Sequence, residues 1–191
     1  MNSKENIEII SSLRNVTEIV KEALDKNAYR AAFFCSLSIP DICGQLSYPD
    51  LRGNNSSARR YKKWYNENFY QYEHPEKDSE YVDSLIDKYN LLDGDMIWLI
   101  RCKLYHQGLT VNDEVIKKLK NKYKNSLKEN FDKIQLNINL DEGRDHFRFV
   151  YDNFGADTET KMNIDIFVNQ EILAKKLLLH AEDILKKEKY T

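Results

Sequence analysis

The spacing of apolar residues changes twice along this chain, and that change limits the folds open to it. Residues 4 to 26 place Ile7, Ile10, Leu13, Val16 (or Thr17), Val20 and Leu24 three and four apart, the stripe of an amphipathic helix. From about residue 133 the interval drops to two: KIQLNINL, HFRFVYDNF and KMNIDIFV alternate and carry β-branched or aromatic side chains. The last segment, NQEILAKKLLLHAEDILKKE, returns to helical spacing through Ile172, Leu173, Leu177, Leu179 and Ile184. The pattern predicts a mainly α protein: a helical bundle with a small antiparallel sheet or hairpin inserted at about 133–168, before the final helix. At 191 residues the chain fits one domain, or one domain with a sizeable appendage, and is long enough to bury a sizeable core.

More helices are expected between these landmarks. One covers Ala28 to Leu37, and Pro40 in SIPDICGQL sits where a first helical residue belongs, giving a short helix near 40–46. SYPDLRGNNSS is the clearest loop and hands over to the helical SARRYKKWYNENFYQY. EHPEKDSE breaks again, with Ser79 a candidate N-cap for EYVDSLIDKYNLL. Asp93 or Asp95 suits the start of MIWLIRCKLYHQ, and Gly108 suits the left-handed position that ends it. That helix is the most apolar in the chain and is expected at its centre.

Composition narrows the function classes. The net charge of -2 provides no global positive field for long nucleic acid or an anionic membrane, so any RNA contact has to be local. The charged, amphipathic N-terminus has no signal-like apolar run, and no window approaches the ~20 apolar residues of a membrane span. A cytoplasmic location is the expectation. Cys35, Cys43 and Cys102 match neither a disulfide framework nor a metal knuckle, and read as free thiols. His74, His106, His146 and His180 are scattered without metal-ligand spacing, so no metal or other cofactor is expected.

The stretch LIRCKLYHQG, Leu99 to Gly108, carries the chemistry. A structural reading is available: the helix dipole favours a histidine near a C-terminus, and an arginine on an apolar helix reaches out to a carboxylate. A functional reading starts from RNA, where a 2′-hydroxyl attacks the adjacent phosphate. That step needs a proton carrier near neutral pH and a fixed cation for the non-bridging oxygens, which histidine and arginine supply. On a regular helix, however, five residues separate two side chains by ~140° and ~7.5 Å. Arg101 and His106 converge only if the last turn is distorted or a second subunit completes the cleft.

Arg101-Cys102-Lys103-Leu104-Tyr105-His106 matches the R-x4-6-H motif of the HEPN superfamily, and the wider LIRCKLYHQG resembles small bacterial HEPN-like proteins. IPDICG and RRYKKW upstream add to the resemblance, which runs loosely over residues 20 to 185. It implies an antiparallel helical bundle that dimerises with its motif helices facing across a cleft. It further implies a metal-independent ribonuclease, a toxin or phage-defence effector with an antitoxin or other protein partner. Arg101 would then hold the phosphate and His106 would act as general acid or base. Other members keep the fold for binding alone. Active members often carry Asn, Asp or His directly after the arginine, where this chain has Cys102, and Gly108 stands where a tyrosine-regulated subgroup has tyrosine.

Two basic segments are further candidates. In ARRYKKWY, Tyr61, Trp64 and Tyr65 share a helix face near Arg60 and Lys63; core aromatics beside solvated charges explain this, and base stacking with phosphate contacts is the alternative. Arg59, Arg60 and Lys63 are the candidate RNA contacts there, and Gln107 is a candidate phosphate donor. Lys117, Lys118, Lys120, Lys122, Lys124 and Lys128 form the strongest local positive density, readable as a solvated face or as a non-specific attraction for RNA. Asp41 reads as a helix-start residue, with pairing to Arg101 the alternative.

Overall fold

The computed structural model describes residues 3–72, 91–108, 113–127, 131–139, 147–154 and 161–188. The helix expected over EYVDSLIDKYNLL and its cap at Ser79 fall almost wholly outside the described residues. The chain is mainly helical with a small sheet before its last helix, and it packs as two compact units, 1–71 with 170–191 and 72–169. The inserted unit is therefore larger than the expected strands alone. No described helix is long and apolar enough to cross a membrane.

The first unit is a bundle of α1 (Ser3–Asp25), α2 (Tyr29–Ser36), α3 (Ile39–Ser47), α4 (Ser56–Asn68) and, from the far end of the sequence, α7 (Gln170–Glu188). α1 follows its predicted stripe in the middle, where Leu13, Thr17 and Val20 are buried, but Ile7 near its start is 66% exposed. α7 returns to α1 and α2, and Val20, Ala32, Ala174 and Leu178 form their shared core. α3 begins one residue before the expected start, at Ile39, and Pro40 is its second residue, still within the first turn where the missing N–H costs nothing. Tyr61, Trp64 and Tyr65 of α4 are buried, which makes them core aromatics, and Trp64 and Phe69 meet His180 of α7 at ring centroid distances of 6.0 and 5.7 Å.

α3 and α4 approach closely at Gly44, where an added Cβ would stand 2.9 Å from the Arg60 carbonyl oxygen. The Ser57 hydroxyl donates to Asp41 across the same pair at 2.8 Å, and Asp41 occupies the first turn of α3, its helix-start role.

The second unit holds α5 (Gly94–Gln107), α6 (Asp113–Leu127) and the strands β1 (Phe131–Asn139), β2 (Phe147–Phe154) and β3 (Lys161–Asn169). The sheet is mixed, where an antiparallel one was expected. Its order is β1-β3-β2, with β1 parallel and β2 antiparallel to the central β3. Period-two alternation marks a strand's faces and is blind to its direction, so it identified the strands but not their pairing. Leu136 stands opposite Ile166, and both are buried, as are Ile134 and Val168. α6 packs against β1 through a unit whose core also includes Val115, Leu119 and Tyr123.

Gly44→Ala tests the α3–α4 contact. Because the clash is with backbone, the helices have to separate, and urea unfolding should show a loss of about 1–3 kcal/mol. An unchanged midpoint and slope would contradict the close approach.

Candidate functional site

The helix that carries the motif is built from both ends. Asp93 is its N-cap: the carboxylate accepts from the backbone N–H groups of Asp95 and Met96, both at 3.1 Å. The same carboxylate pairs with Lys122 of α6, and the Lys118 ammonium donates to the Asp95 carbonyl at 3.4 Å. Lys103 pairs with Glu114, so α6 holds α5 along its length. At the other end Gly108 takes φ 68°, the left-handed value that glycine adopts without strain.

Gly94, Met96, Ile97 and Ile100 are buried, but the second half of the helix, which holds the motif, runs from half-buried to exposed. Arg101 is half-buried, with its guanidinium carbon 4.9 Å from the Trp98 ring centroid and 4.8 Å from that of Tyr105. These residues stand three before and four after Arg101, so all three form one ridge of the helix. Cation–π attraction holds the planar cation over the rings, the kind of constraint a phosphate-binding arginine benefits from. Trp98 and Tyr105 are the residues that the sequence reading missed, although the W-x2-R-x3-Y spacing displays them.

His106 and Gln107 are exposed in the last turn. That turn is regular: the Gly108 N–H donates to the Leu104 carbonyl at 2.9 Å, an ordinary α-helical bond. Arg101 and His106 consequently remain about 140° apart around the helix. Distortion of the last turn, one of the two routes to convergence, does not occur. Cys102 lies four residues before His106 and on its side of the helix.

The other candidates belong to the first unit. Arg59 is exposed on α4. Arg60 is half-buried and donates through Nη1 to the Leu51 carbonyl at 3.1 Å, which ties the preceding loop to α4. Lys63 is exposed, 4.5 Å over the Tyr48 ring and 3.9 Å from Glu67. Burial, with the hydrogen bond to Glu67, pushes the Tyr48 hydroxyl up to about 12. Burial also pushes up the Cys35 and Cys43 thiols, which makes them poor nucleophiles. Among the described residues no group of three His, Cys, Asp or Glu is placed to hold a metal ion.

Compared with family models, curated proteins and solved structures, the chain matches none.

The two motif residues should respond differently to truncation. Arg101→Ala removes two ring contacts and should lower unfolding free energy by about 1–2 kcal/mol. His106→Ala, on an exposed site, should change it by less than about 0.5 kcal/mol. Equal losses in urea titrations would contradict the ring-held arginine.

Proposed function

We propose that this chain is a metal-independent endoribonuclease of the HEPN type whose active site is completed by a second copy. The observation that carries the reading is a guanidinium held over two aromatic rings on the same helix end as an exposed histidine. The regular last turn supports a symmetric dimer as the way the two groups meet, since one copy keeps them on different faces.

In that site Arg101 grips the non-bridging oxygens of the scissile phosphate. His106 takes the proton of the 2′-hydroxyl as its oxygen attacks phosphorus. The P–O5′ bond breaks, the departing 5′-oxygen takes a proton from water, His106 releases its own to solvent, and the products end in a 2′,3′-cyclic phosphate and a 5′-hydroxyl. The cytoplasm, with RNA as substrate, and a role as a toxin or phage-defence effector with an antitoxin partner are the setting that the resemblance suggests.

A second reading is favoured by one position. Cys102 supplies a weak thiol donor where active members carry a stronger polar group, which fits a catalytically silent module that binds a protein partner or nucleic acid.

Incubation with mixed-sequence RNA in excess EDTA separates the two readings. The ribonuclease produces fragments with 2′,3′-cyclic phosphate ends, and His106→Ala lowers their rate by about 10²-fold or more. Arg101→Lys keeps the charge but loses the planar fork, and should lose a comparable factor. Intact RNA with the wild-type protein would leave the binding module as the surviving reading.

A further inference from the structure

The lysines of α6 divide into two sets with different neighbours. Lys118 and Lys122 are occupied by the start of α5, through the Asp95 carbonyl and the Asp93 carboxylate. Lys117, Lys120 and Lys124 are exposed, and among the described residues no carboxylate lies within ion-pair distance of them. Helical spacing puts these three within an arc of about 60° and along about 10 Å of axis. Asp113 lies at the N-terminal end of the same arc, where the helix dipole favours a carboxylate, and Glu114 is paired with Lys103. The result is a local positive stripe on a chain whose net charge is -2.

The chemistry of the face selects its partner. Protein interfaces are anchored by aromatic residues and arginine and are depleted in lysine. This face presents Lys117, Lys120, Asn121, Lys124 and Asn125, with no such anchor. A membrane-surface helix needs an apolar side free to enter lipid, whereas Val115, Leu119 and Tyr123 of α6 are buried in the unit. Flexible point charges in a row suit a flexible polyanion, whose phosphates they contact without reading bases.

We infer that the Lys117–Lys120–Lys124 face of α6 is a sequence-independent docking surface for the phosphate backbone of single-stranded RNA. The inference deepens the ribonuclease reading by naming where substrate is held in the unit that carries Arg101 and His106. It is tested by binding alone, so the two readings fail separately.

The test uses the full chain carrying His106→Ala, which keeps the RNA intact, and the fluorescence anisotropy of a short labelled single-stranded RNA of mixed sequence as salt is raised. Each phosphate contact contributes about 0.7 to the slope of log affinity against log salt for single strands, so K117Q/K120Q/K124Q should flatten that slope by about 2. Affinity near 0.1 M salt should fall by about tenfold or more. A control, K21Q/K26Q/K175Q, removes the same total charge from lysines paired with Glu182, Glu22 and Glu171. It should keep both slope and affinity close to those of the parent. Equal losses in the two triple variants would reduce the effect to net charge and overturn the inference, as would a parent that does not bind the RNA. Stripe-dependent binding by a wild-type protein that cleaves nothing would uphold the surface and reject only the ribonuclease.

Discussion

The return of α7 to the N-terminal helices closes the first unit. Residues from opposite ends of the chain, Val20 and Ala32 on one side and Ala174 and Leu178 on the other, share one apolar seam, and Leu173 and Leu177 of α7 are buried as well. Between the two ends lies a second unit of about a hundred residues, whose closure as a flexible loop would cost about 4 kcal/mol beyond a constant. Burying a leucine side chain contributes roughly 1.5–3 kcal/mol, so two or three of them offset that entropy. The inserted unit also has its own buried residues, among them Val115, Leu119, Tyr123 and Ile166.

Within the inserted unit, Asp93 has a comparable role on a smaller scale. One carboxylate caps α5 and pairs with Lys122, so the start of the motif helix and the placement of α6 depend on the same group. The consequence reaches the candidate site. α5 is anchored along its buried face by Met96, Ile97 and Ile100, which leaves Trp98, Arg101 and Tyr105 on one flank and His106 on another. The lysines that fix α6 are then distinct from those it presents to solvent, and a structural helix acquires a charged face.

Most helices were legible in the sequence because their signals are local. Pro40 in the first turn of α3, an aspartate at the start of α5 and Gly108 at its end are each local signals, and of the two aspartates the sequence offered, Asp93 is the cap. The aromatic face of α4 followed from spacing, and all three of its residues are buried. What the sequence did not disclose is non-local. Ile7 continues the α1 stripe but is exposed, since a stripe says which side of a helix packs and not how far its neighbours extend. The apolar composition of MIWLIRCKLYHQ suggested a central helix, yet its arginine, histidine and glutamine hold the second half toward the surface. The partners of β3 depend on chain direction, which alternation does not encode. At the candidate site, the motif stands in the sequence as a contiguous segment, whereas the ring contacts of Arg101 come from its i−3 and i+4 neighbours, outside the motif's two defining residues.

A site shared between two copies makes a demand that a site within one copy does not. Arg101→Lys and His106→Ala, each inactive alone, should complement when the two proteins are mixed and allowed to exchange subunits. A mixed dimer pairs the intact His106 of one chain with the intact Arg101 of the other. Random exchange should restore roughly a quarter of the wild-type cleavage rate, half the dimers being mixed and one site in each being whole. Recovery near that level is the result expected here. An active wild-type protein whose variants show no recovery after verified exchange would place Arg101 and His106 in the same chain's site and contradict the composite arrangement.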